Sequence, residues 1–215
     1  MRKLVRFLVW TAVIVAIVVV GLRYLLLESW TIPEDDAWLG ASIAPTLRPG
    51  DTVLVLIRGK PGFGDLARCV DPDDPKGWVV GRIVGLPGDV VEVVGPTLVV
   101  NGKSYVSTEA CQEPRFTIQH PDTGSELELG CSRVDLAGSW HFQGSGGGKG
   151  RVPGEDAKHT VGEGLVYLLS DDRDVHEDSR DFGAIPAETC RGKIVFRLWG
   201  KEGWGDSKHR MTVIR

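Results

Sequence analysis

The chain has 215 residues, enough for one good-sized globular domain with a small insertion. Its formal net charge is -4 and its Lys and Arg residues are dispersed, which argues against a nucleic-acid partner. Four cysteines in a chain of this length exclude a small disulfide-built scaffold, and the 28 glycines together with recurring valine runs favour a β-rich architecture.

A membrane-spanning segment is predicted near the N-terminus. The run from Phe7 to Leu22 carries no charge, and it reaches the thickness of a bilayer core if Arg23 extends its guanidinium to the far interface. A cleavable signal peptide is the alternative, but the sequence from Leu25 to Trp30 offers no small-x-small cleavage site. The pattern therefore favours an uncleaved anchor.

Charges on either side of this run predict its orientation. Arg2, Lys3 and Arg6 precede it and acidic residues follow it, so the positive-inside rule places the N-terminus in the cytoplasm. We expect residues 1–28 to form a cytoplasmic tip and a transmembrane anchor in contact with membrane lipid. Residues 29–215 would then form an extracytoplasmic β domain, whose cysteines lie where disulfides persist.

The first stretch after the anchor contains a serine among small residues. In Trp38–Asp51, Ser42 precedes a Pro-Thr pair and a Pro-Gly-Asp turn, which predicts an exposed loop, a turn and then a strand. A loop held against a sheet suits a nucleophile, although a serine before a turn is most often solvated or bonded to its own backbone. Ser42 is therefore a candidate nucleophile that this motif alone does not establish.

Short apolar runs separated by turn signals predict the strands of the domain. These runs are Thr52–Ile57, Leu66–Val70, Trp78–Val84, Val90–Val94, Leu98–Val100, Leu165–Leu169, Lys193–Leu198 and Met211–Ile214. The clearest turn is Asn101-Gly102, because these two residue types supply the positive φ angles of a type I′ hairpin.

Residues 107–154 interrupt this pattern with charged, Thr-rich and Gly-rich sequence. We expect an inserted subdomain with short strands of its own that ends in a flexible linker. A bridge between Cys111 and Cys131 would stabilise it by roughly 3 kcal/mol, and two free, buried thiols are the alternative. Cys69 and Cys190 lie in strand-like segments, and the sequence leaves open whether they pair or simply pack.

The densest charge cluster extends from Ser170 to Gly183, directly after the apolar run Leu165–Leu169. A solvated acidic loop is one interpretation. Because arginines alternate with the carboxylates, a loop folded back on itself through charge-assisted hydrogen bonds is the other.

Three blocks occur in a fixed order along the chain. They are Ser42-Ile43-Ala44-Pro45-Thr46-Leu47, then Arg82-Ile83-Val84-Gly85-Leu86-Pro87-Gly88-Asp89, and then Asp172-Arg173-Asp174 through Asp178-Ser179-Arg180 with Phe182-Gly183-Ala184-Ile185-Pro186. In this order they resemble the bacterial type I signal peptidases, membrane-anchored serine endopeptidases that use a Ser/Lys dyad. The resemblance covers essentially the whole chain. It implies a mostly β, signal-peptidase-like domain with an inserted small β subdomain, preceded by one N-terminal transmembrane helix.

The resemblance also implies roles for individual residues. Ser42 would be the nucleophile, with its backbone N–H in the oxyanion hole, and Gly40 stands where some members place a second, side-chain donor. Asp178 corresponds to a structural carboxylate near the site. The implied substrates are signal peptides of exported preproteins. The implied location is the bacterial cytoplasmic membrane, with a single span and the C-terminal domain on the extracytoplasmic side.

One position departs from the family pattern. The lysine that removes the serine proton is replaced by Gly81, and Arg82 cannot substitute because a guanidinium stays protonated. His176 stands where many members have a serine that hydrogen-bonds this lysine, so it is the candidate base. Asp178 or Asp174 would orient its ring.

The sequence therefore predicts a membrane-bound endopeptidase that cleaves signal peptides with Ser42. The alternative is a catalytically inactive homologue that acts as a membrane-tethered peptide-binding or scaffolding module. His120, His141 and His159 do not form metal-ligand spacing, and we expect no metal site and no cofactor.

Overall fold

The computed structural model describes residues 2–146 and 158–215. The chain begins with helix α1, Arg2–Leu25, whose segment Arg2–Gly21 has a mean hydropathy of 2.5 and no buried residue. In the described part of the chain it is the one helix with the length and composition to anchor the protein in a membrane. A signal sequence shares these properties.

The rest of the described chain is mostly β, as the sequence predicts. The strands are β1 Leu27–Thr31, β2 Thr52–Leu56, β3 Leu66–Val70, β4 Trp78–Gly85, β5 Val90–Val94, β6 Thr97–Val100, β7 Lys103–Tyr105, β8 Ser107–Gln119, β9 Glu126–Leu136, β10 Ser139–Ser145, β11 His159–Thr160, β12 Leu165–Leu169, β13 Ile185–Pro186, β14 Cys190–Trp199 and β15 Thr212–Val213. Two short helices, α2 Ala37–Ser42 and α3 Ser179–Phe182, and a 3-10 turn, Ala187–Thr189, lie between strands.

The largest sheet has the strand order β1-β2-β14-β3-β4-β12-β13, and β15 pairs with β14. Strand β4 lies between β3 and β12, with Gly81 opposite Ala67 and Ile83 opposite Leu168. Because the charged loop begins where β12 ends, this pairing brings the loop next to β4. Two blocks that are far apart in the sequence therefore meet in the sheet.

One apolar cluster fastens the serine segment to this sheet. Leu39, Ile43 and Leu47 are fully buried and recur every four residues, which places them on one side of a helical segment. They pack against sheet residues that include Val53 and Val80. Burying three such side chains contributes several kcal/mol, about 1.5–3 kcal/mol each, so the position of Ser42 is set by packing.

A second sheet has the order β11-β5-β6-β7 and contains the predicted hairpin. Asn101 and Gly102 have φ angles of 51° and 79°, so the type I′ prediction is confirmed.

The third sheet, β10-β9-β8, is built from the region predicted as an insertion. The expectation of short strands is wrong, because β8 has 13 residues and β9 has 11. Thr117 and Ile118 are typical of the β-branched residues that favour such strands despite the charged neighbours. The end of the predicted Gly-rich linker lies outside the described residues, and the subdomain boundary at 107–154 stays a prediction.

Both cysteine pairs form disulfides. Cys111 is bridged to Cys131 across β8 and β9, which confirms the predicted bridge and makes the free-thiol alternative wrong. Cys69 is bridged to Cys190, and the two residues lie opposite each other on β3 and β14. The pairing that the sequence left open is therefore settled by the register of these strands.

Candidate functional site

Ser42 is the last residue of helix α2. The helix begins after Asp36, whose carboxylate accepts a hydrogen bond from the Leu39 N–H at 2.9 Å and caps the first turn. Ser42 is only 1% exposed, so the predicted exposed loop is wrong. The cap and the apolar spacing of Leu39 and Ile43 produce a helical turn that holds the serine inside the protein.

The hydroxyl of Ser42 is bonded within its own helix. Its Oγ donates to the Leu39 carbonyl oxygen at 3.0 Å, and it has no other hydrogen-bond partner among residues 2–146 and 158–215. A backbone carbonyl cannot take up a proton, so this bond orients the hydroxyl without activating it. This hydrogen bond has to break before the hydroxyl can give its proton to a base.

The backbone of Ser42 contacts the charged loop. The Asp172 N–H donates to the Ser42 carbonyl oxygen at 3.0 Å. Thr46, four residues after the serine, donates its hydroxyl to Asp171 Oδ2 at 2.5 Å. The structure thus brings together the first and third sequence blocks.

Asp171 links the second block to the same place. Its carboxylate accepts hydrogen bonds from Arg82 Nε at 2.7 Å and from Arg82 Nη2 at 3.0 Å, and both side chains are fully buried. Asp171 therefore joins β4, the charged loop and the serine segment. Removing one partner of such a buried pair leaves an uncompensated charge, which costs about 3–5 kcal/mol.

The charged loop is folded back on itself, so the solvated-loop interpretation is wrong and the alternative is confirmed. Asp178 accepts from the Ser170 N–H at 2.8 Å and from Arg180 Nη2 at 2.7 Å. Arg180 also donates to the Arg173 carbonyl oxygen at 2.9 Å. These bonds join the first residues of the loop to Asp178 and Arg180.

Asp172 is the unusual carboxyl of this loop. Its Oδ1 accepts the N–H groups of Asp174 and Val175, whereas its Oδ2 is buried and has no hydrogen-bond partner in the described parts of the chain. Burial raises the pKa of Asp172 to about 7, although the two N–H donors act in the opposite direction. Asp172 can therefore exist in either protonation state near neutral pH.

His176 lies in the same loop and is 3% exposed. Its Nδ1 is 2.8 Å from Asp181 Oδ2 and 4.0 Å from Asp178 Oδ1, so Asp181 orients the ring more directly than the predicted Asp178. Within the described residues no hydrogen bond joins His176 to Ser42. Its role as a base stays a prediction.

Asp178 is a structural carboxylate by its contacts. It caps helix α3 in a capping box with Asp181. Burial alone would raise its pKa, but the paired Arg180 guanidinium outweighs burial and holds the pKa of Asp178 well below its usual range. Ligand atoms of His176, Asp178 and Asp181 all lie within 4.8 Å of one another, yet Arg180 already supplies the cation that this cluster needs.

Two glycines are enclosed by neighbours. A Cβ on Gly40 would lie 2.5 Å from Pro49 Cγ, so a residue with a side-chain donor does not fit there without displacing Pro49. A Cβ on Gly81 would lie 3.2 Å from the Leu169 carbonyl oxygen and 3.3 Å from Leu168 Cβ. The space expected beside Gly81 is therefore partly filled by β12.

Sequence reasoning missed the residues that hold the site together. Asp171 and Asp181 had no motif of their own, and Asp172 was part of the third block without a role assigned to it. The available signal was their place directly after a buried strand, which brings a loop to the edge of a sheet without saying which carboxylate points inward.

The comparisons with known proteins bear on the whole of this arrangement. Residues 4–199 match the model of the family described as "Signal peptidase, peptidase S26". Signal peptidase IB of Staphylococcus aureus is 30% identical over 167 residues, which are 74% of each chain. Signal peptidase I of Pseudomonas fluorescens is 28% identical over 213 residues, 86% of this chain and 69% of the relative.

Among solved structures, a signal peptidase I from Enterococcus faecalis covers 63% of this chain and 97% of its own, at 22% identity and a TM-score of 0.37. The family assignment rests on the sequence matches, which extend from the apolar helix through β14. The chain belongs to the signal peptidase family, peptidase S26, the type I signal peptidases.

Proposed function

We propose that this protein is a membrane-anchored serine endopeptidase that cleaves signal peptides from exported preproteins, with Ser42 as the nucleophile. The observation that supports it best is the 3.0 Å hydrogen bond from the Asp172 N–H to the Ser42 carbonyl oxygen. This bond joins the serine block to the charged block in a chain whose family is defined by such peptidases.

The proposal requires a group that accepts the Ser42 proton. Gly81 stands at the position of the family lysine, and His176, oriented by Asp181, is the first candidate base. Asp172 is a second candidate, because its Oδ2 accepts no hydrogen bond from any described residue and its pKa, raised to about 7, suits proton transfer at neutral pH. Asp178 acts as a structural carboxylate through its bonds to Arg180 and Ser170.

The proposal also includes location and orientation. Helix α1 would cross the bacterial cytoplasmic membrane once, and Arg2, Lys3 and Arg6 would keep the N-terminus inside. The β domain would then lie on the extracytoplasmic side, which suits the two disulfides. Substrates would reach Ser42 from the membrane surface.

The alternative function is a catalytically inactive, membrane-tethered module that binds or scaffolds exported chains. Two observations favour it: Gly81 offers no amine, and the Ser42 hydroxyl is bonded to the Leu39 carbonyl oxygen. Serine enzymes without their base lose about 10⁴–10⁶ in rate, so such a protein would retain binding without useful turnover.

A preprotein cleavage assay with the full chain in detergent separates the two functions. Under the enzyme proposal Ser42→Ala abolishes cleavage, and the base is whichever of His176→Ala and Asp172→Asn also abolishes it. Preprotein that binds to the wild type but is never cleaved would establish the alternative function.

Replacing Gly81 by lysine tests whether the rest of the site is still arranged for the family's chemistry. We expect Gly81→Lys to raise the cleavage rate at least tenfold, because an amine would then be available beside the serine. Gly81→Met is the matched control, since it adds an unbranched side chain one atom shorter, without an amine, and meets the same neighbours, Leu168 and Leu169. Equal rates in the two variants would mean that the amine does not reach Ser42.

A further inference from the structure

A pocket of about 430 Å³ lies between strand β10 and the paired strands β14 and β15. Residues 140–142 line one side of it and residues 212–215 line the other. Thr46, four residues after the serine, also belongs to the lining, whereas Ser42 and the candidate base His176 do not. The pocket therefore adjoins the serine segment but is separate from the groups proposed for proton transfer.

The lining of this pocket is cationic. Four positively charged side chains line it, and no described acidic residue does; the four are Arg82, Arg197, Lys208 and Arg215. Three of them are each paired with one carboxylate that lies outside the lining. Arg215 has no carboxylate partner in the part of the chain that the structure describes. The pocket therefore has an excess of positive charge.

Arg197 offers this pocket unused hydrogen-bond donors, although its side chain is only 9% exposed. Its Nε donates to Thr212 Oγ1 at 3.1 Å, and its Nη1 donates to Asp51 Oδ2 at 2.9 Å and to the Thr46 carbonyl oxygen at 3.4 Å. A guanidinium has five N–H groups, and the two on Nη2 have no partner among the described residues. Because the other nitrogens are already bonded, Nη2 is the group that a ligand would meet.

His141 is a second polar group of the lining that lacks a partner. Its side chain is 2% exposed, and its Nε2 lies 3.9 Å from Asp171 Oδ1, too far for a hydrogen bond. Nε2 has no other partner in the described chain. Burial, together with the nearby arginine charges, holds the pKa of His141 well below its usual range, so the ring is neutral and adds no charge that would repel a cation or attract an anion.

These features favour an oxyanion over other ligands. A metal ion or an amine would meet arginine and lysine side chains without a carboxylate in the lining. An apolar molecule would leave the Arg197 Nη2 donors without an acceptor, which is costly for buried groups. The planar, permanently charged guanidinium binds phosphate oxygens well. The rings of Trp140 and Phe142 add an apolar wall, on which the carbon atoms of a phosphate ester can pack.

We propose that this pocket binds a phosphate group through Arg197 and Arg215. The Arg215 guanidinium lies over the Trp140 ring, 5.1 Å from its centroid, which holds this charge at the pocket. The phosphate is either a free anion or part of a lipid headgroup, since Val213 lines the pocket and is 64% exposed. The inference does not depend on peptide cleavage, so it stands or fails separately from the proposed function.

The inference is tested by measuring phosphate binding. The probe is inorganic phosphate, titrated by calorimetry into the full chain in a nonionic detergent, with the ionic strength held constant by sodium chloride. Arg215→Gln removes the cation that has no carboxylate partner. Arg210→Gln is the matched control, because Arg210 lies over the Trp204 ring in the same way, 5.3 Å from its centroid, but outside the pocket lining.

We expect Arg215→Gln to raise the phosphate Kd at least fivefold and Arg210→Gln to change it less than twofold. Arg197→Lys keeps a cation beside Asp51 but lacks the Nη2 donors, so it should also raise the Kd at least fivefold. Thermal unfolding of each variant shows whether it is folded, and the exposed position of Arg215 makes its variant the safer one. Equal Kd values for Arg215→Gln and Arg210→Gln would overturn the inference.

A second titration separates the two sources of phosphate. Detergent micelles that contain phosphatidylglycerol replace inorganic phosphate, and micelles that contain diacylglycerol, which has no phosphate, are the blank. Binding to these lipid micelles alone, weakened by Arg215→Gln and not by Arg210→Gln, would assign the pocket to a lipid headgroup. Binding of inorganic phosphate with the same dependence would assign it to a free anion. Binding of neither probe, or equal weakening by both substitutions, would refute the site.

Discussion

At the scale of single residues, Asp172 has the clearest dependence on pH. Its pKa is 3.8 in an unfolded chain and about 7 in the folded protein, so the folded state holds the proton more tightly. The stability that this difference supplies is complete below pH 3.8 and is lost as the pH rises through about 7.

Asp172→Asn should therefore stabilise the protein relative to the wild type, and increasingly so between pH 4 and pH 8. The gain is on the order of 4 kcal/mol at most, at 1.36 kcal/mol per unit of pKa difference. Urea unfolding of the full chain in detergent at pH 5 and pH 8 measures it. Asp122→Asn, which removes an exposed carboxyl, is the control. If Asp172→Asn gains no more stability at pH 8 than at pH 5, the raised pKa of Asp172 is contradicted.

Gly40 is the residue at which sequence resemblance and packing disagree. Gly40→Ser would place a Cβ 2.5 Å from Pro49 Cγ, so we expect a loss of about 1–3 kcal/mol in unfolding free energy from overpacking. Gly205→Ser is the control, because no atom of residues 2–146 or 158–215 lies within 4 Å of its Cβ position. Equal melting temperatures for the two variants would show that Pro49 can be displaced at little cost in stability.

At the scale of elements, the two disulfides differ in the length of chain they close. Cys111–Cys131 closes 20 residues and Cys69–Cys190 closes 121. In the chain-entropy account the longer loop contributes about 1.5 kcal/mol more. The double variant Cys69→Ser/Cys190→Ser should thus lose more stability than Cys111→Ser/Cys131→Ser in urea unfolding. The reverse order would mean that packing around the bridges decides their contribution.

The strands were largely predictable from the sequence and the serine helix was not. Leu66–Val70, Val90–Val94 and Leu165–Leu169 agree at both ends, because apolar runs between turn residues are a local signal. Helix α2 is only six residues long, too short for a helical period to stand out. The capping residue Asp36 was the one local sequence signal for this helix.

The sequence identified residues of the candidate site, but it did not predict which residues contact one another. Ser42, His176 and Asp178 were named from the sequence, and all three lie in segments that meet around the charged loop. That Asp181 holds His176, and that the Ser42 hydroxyl is turned to Leu39, follows from the exact path of two short helices. Neither path is encoded in a motif.

At the scale of the whole molecule, we expect helix α1 to provide membrane binding and the β domain to fold without it. Full-length protein should float with lipid vesicles, and a variant lacking residues 2–21 should not, because this segment has no buried residue and the β domain has its own core. Vesicle flotation measures the difference. The truncated protein would still float if exposed Trp204, Met211 and Val213 bound lipid strongly enough by themselves.

The hydrogen bonds that hold the serine segment also determine when, during synthesis of the chain, Ser42 can take up its final position. Ser42 and Thr46 are bonded to Asp172 and Asp171, and the Thr46–Asp171 pair is separated by 125 residues. A chain that emerges N-terminus first therefore exposes its serine long before the loop that positions it exists. We expect nascent chains that end before residue 171 to lack the contacts that hold the serine segment, so that Ser42 is not fixed in position until synthesis of the chain is nearly complete.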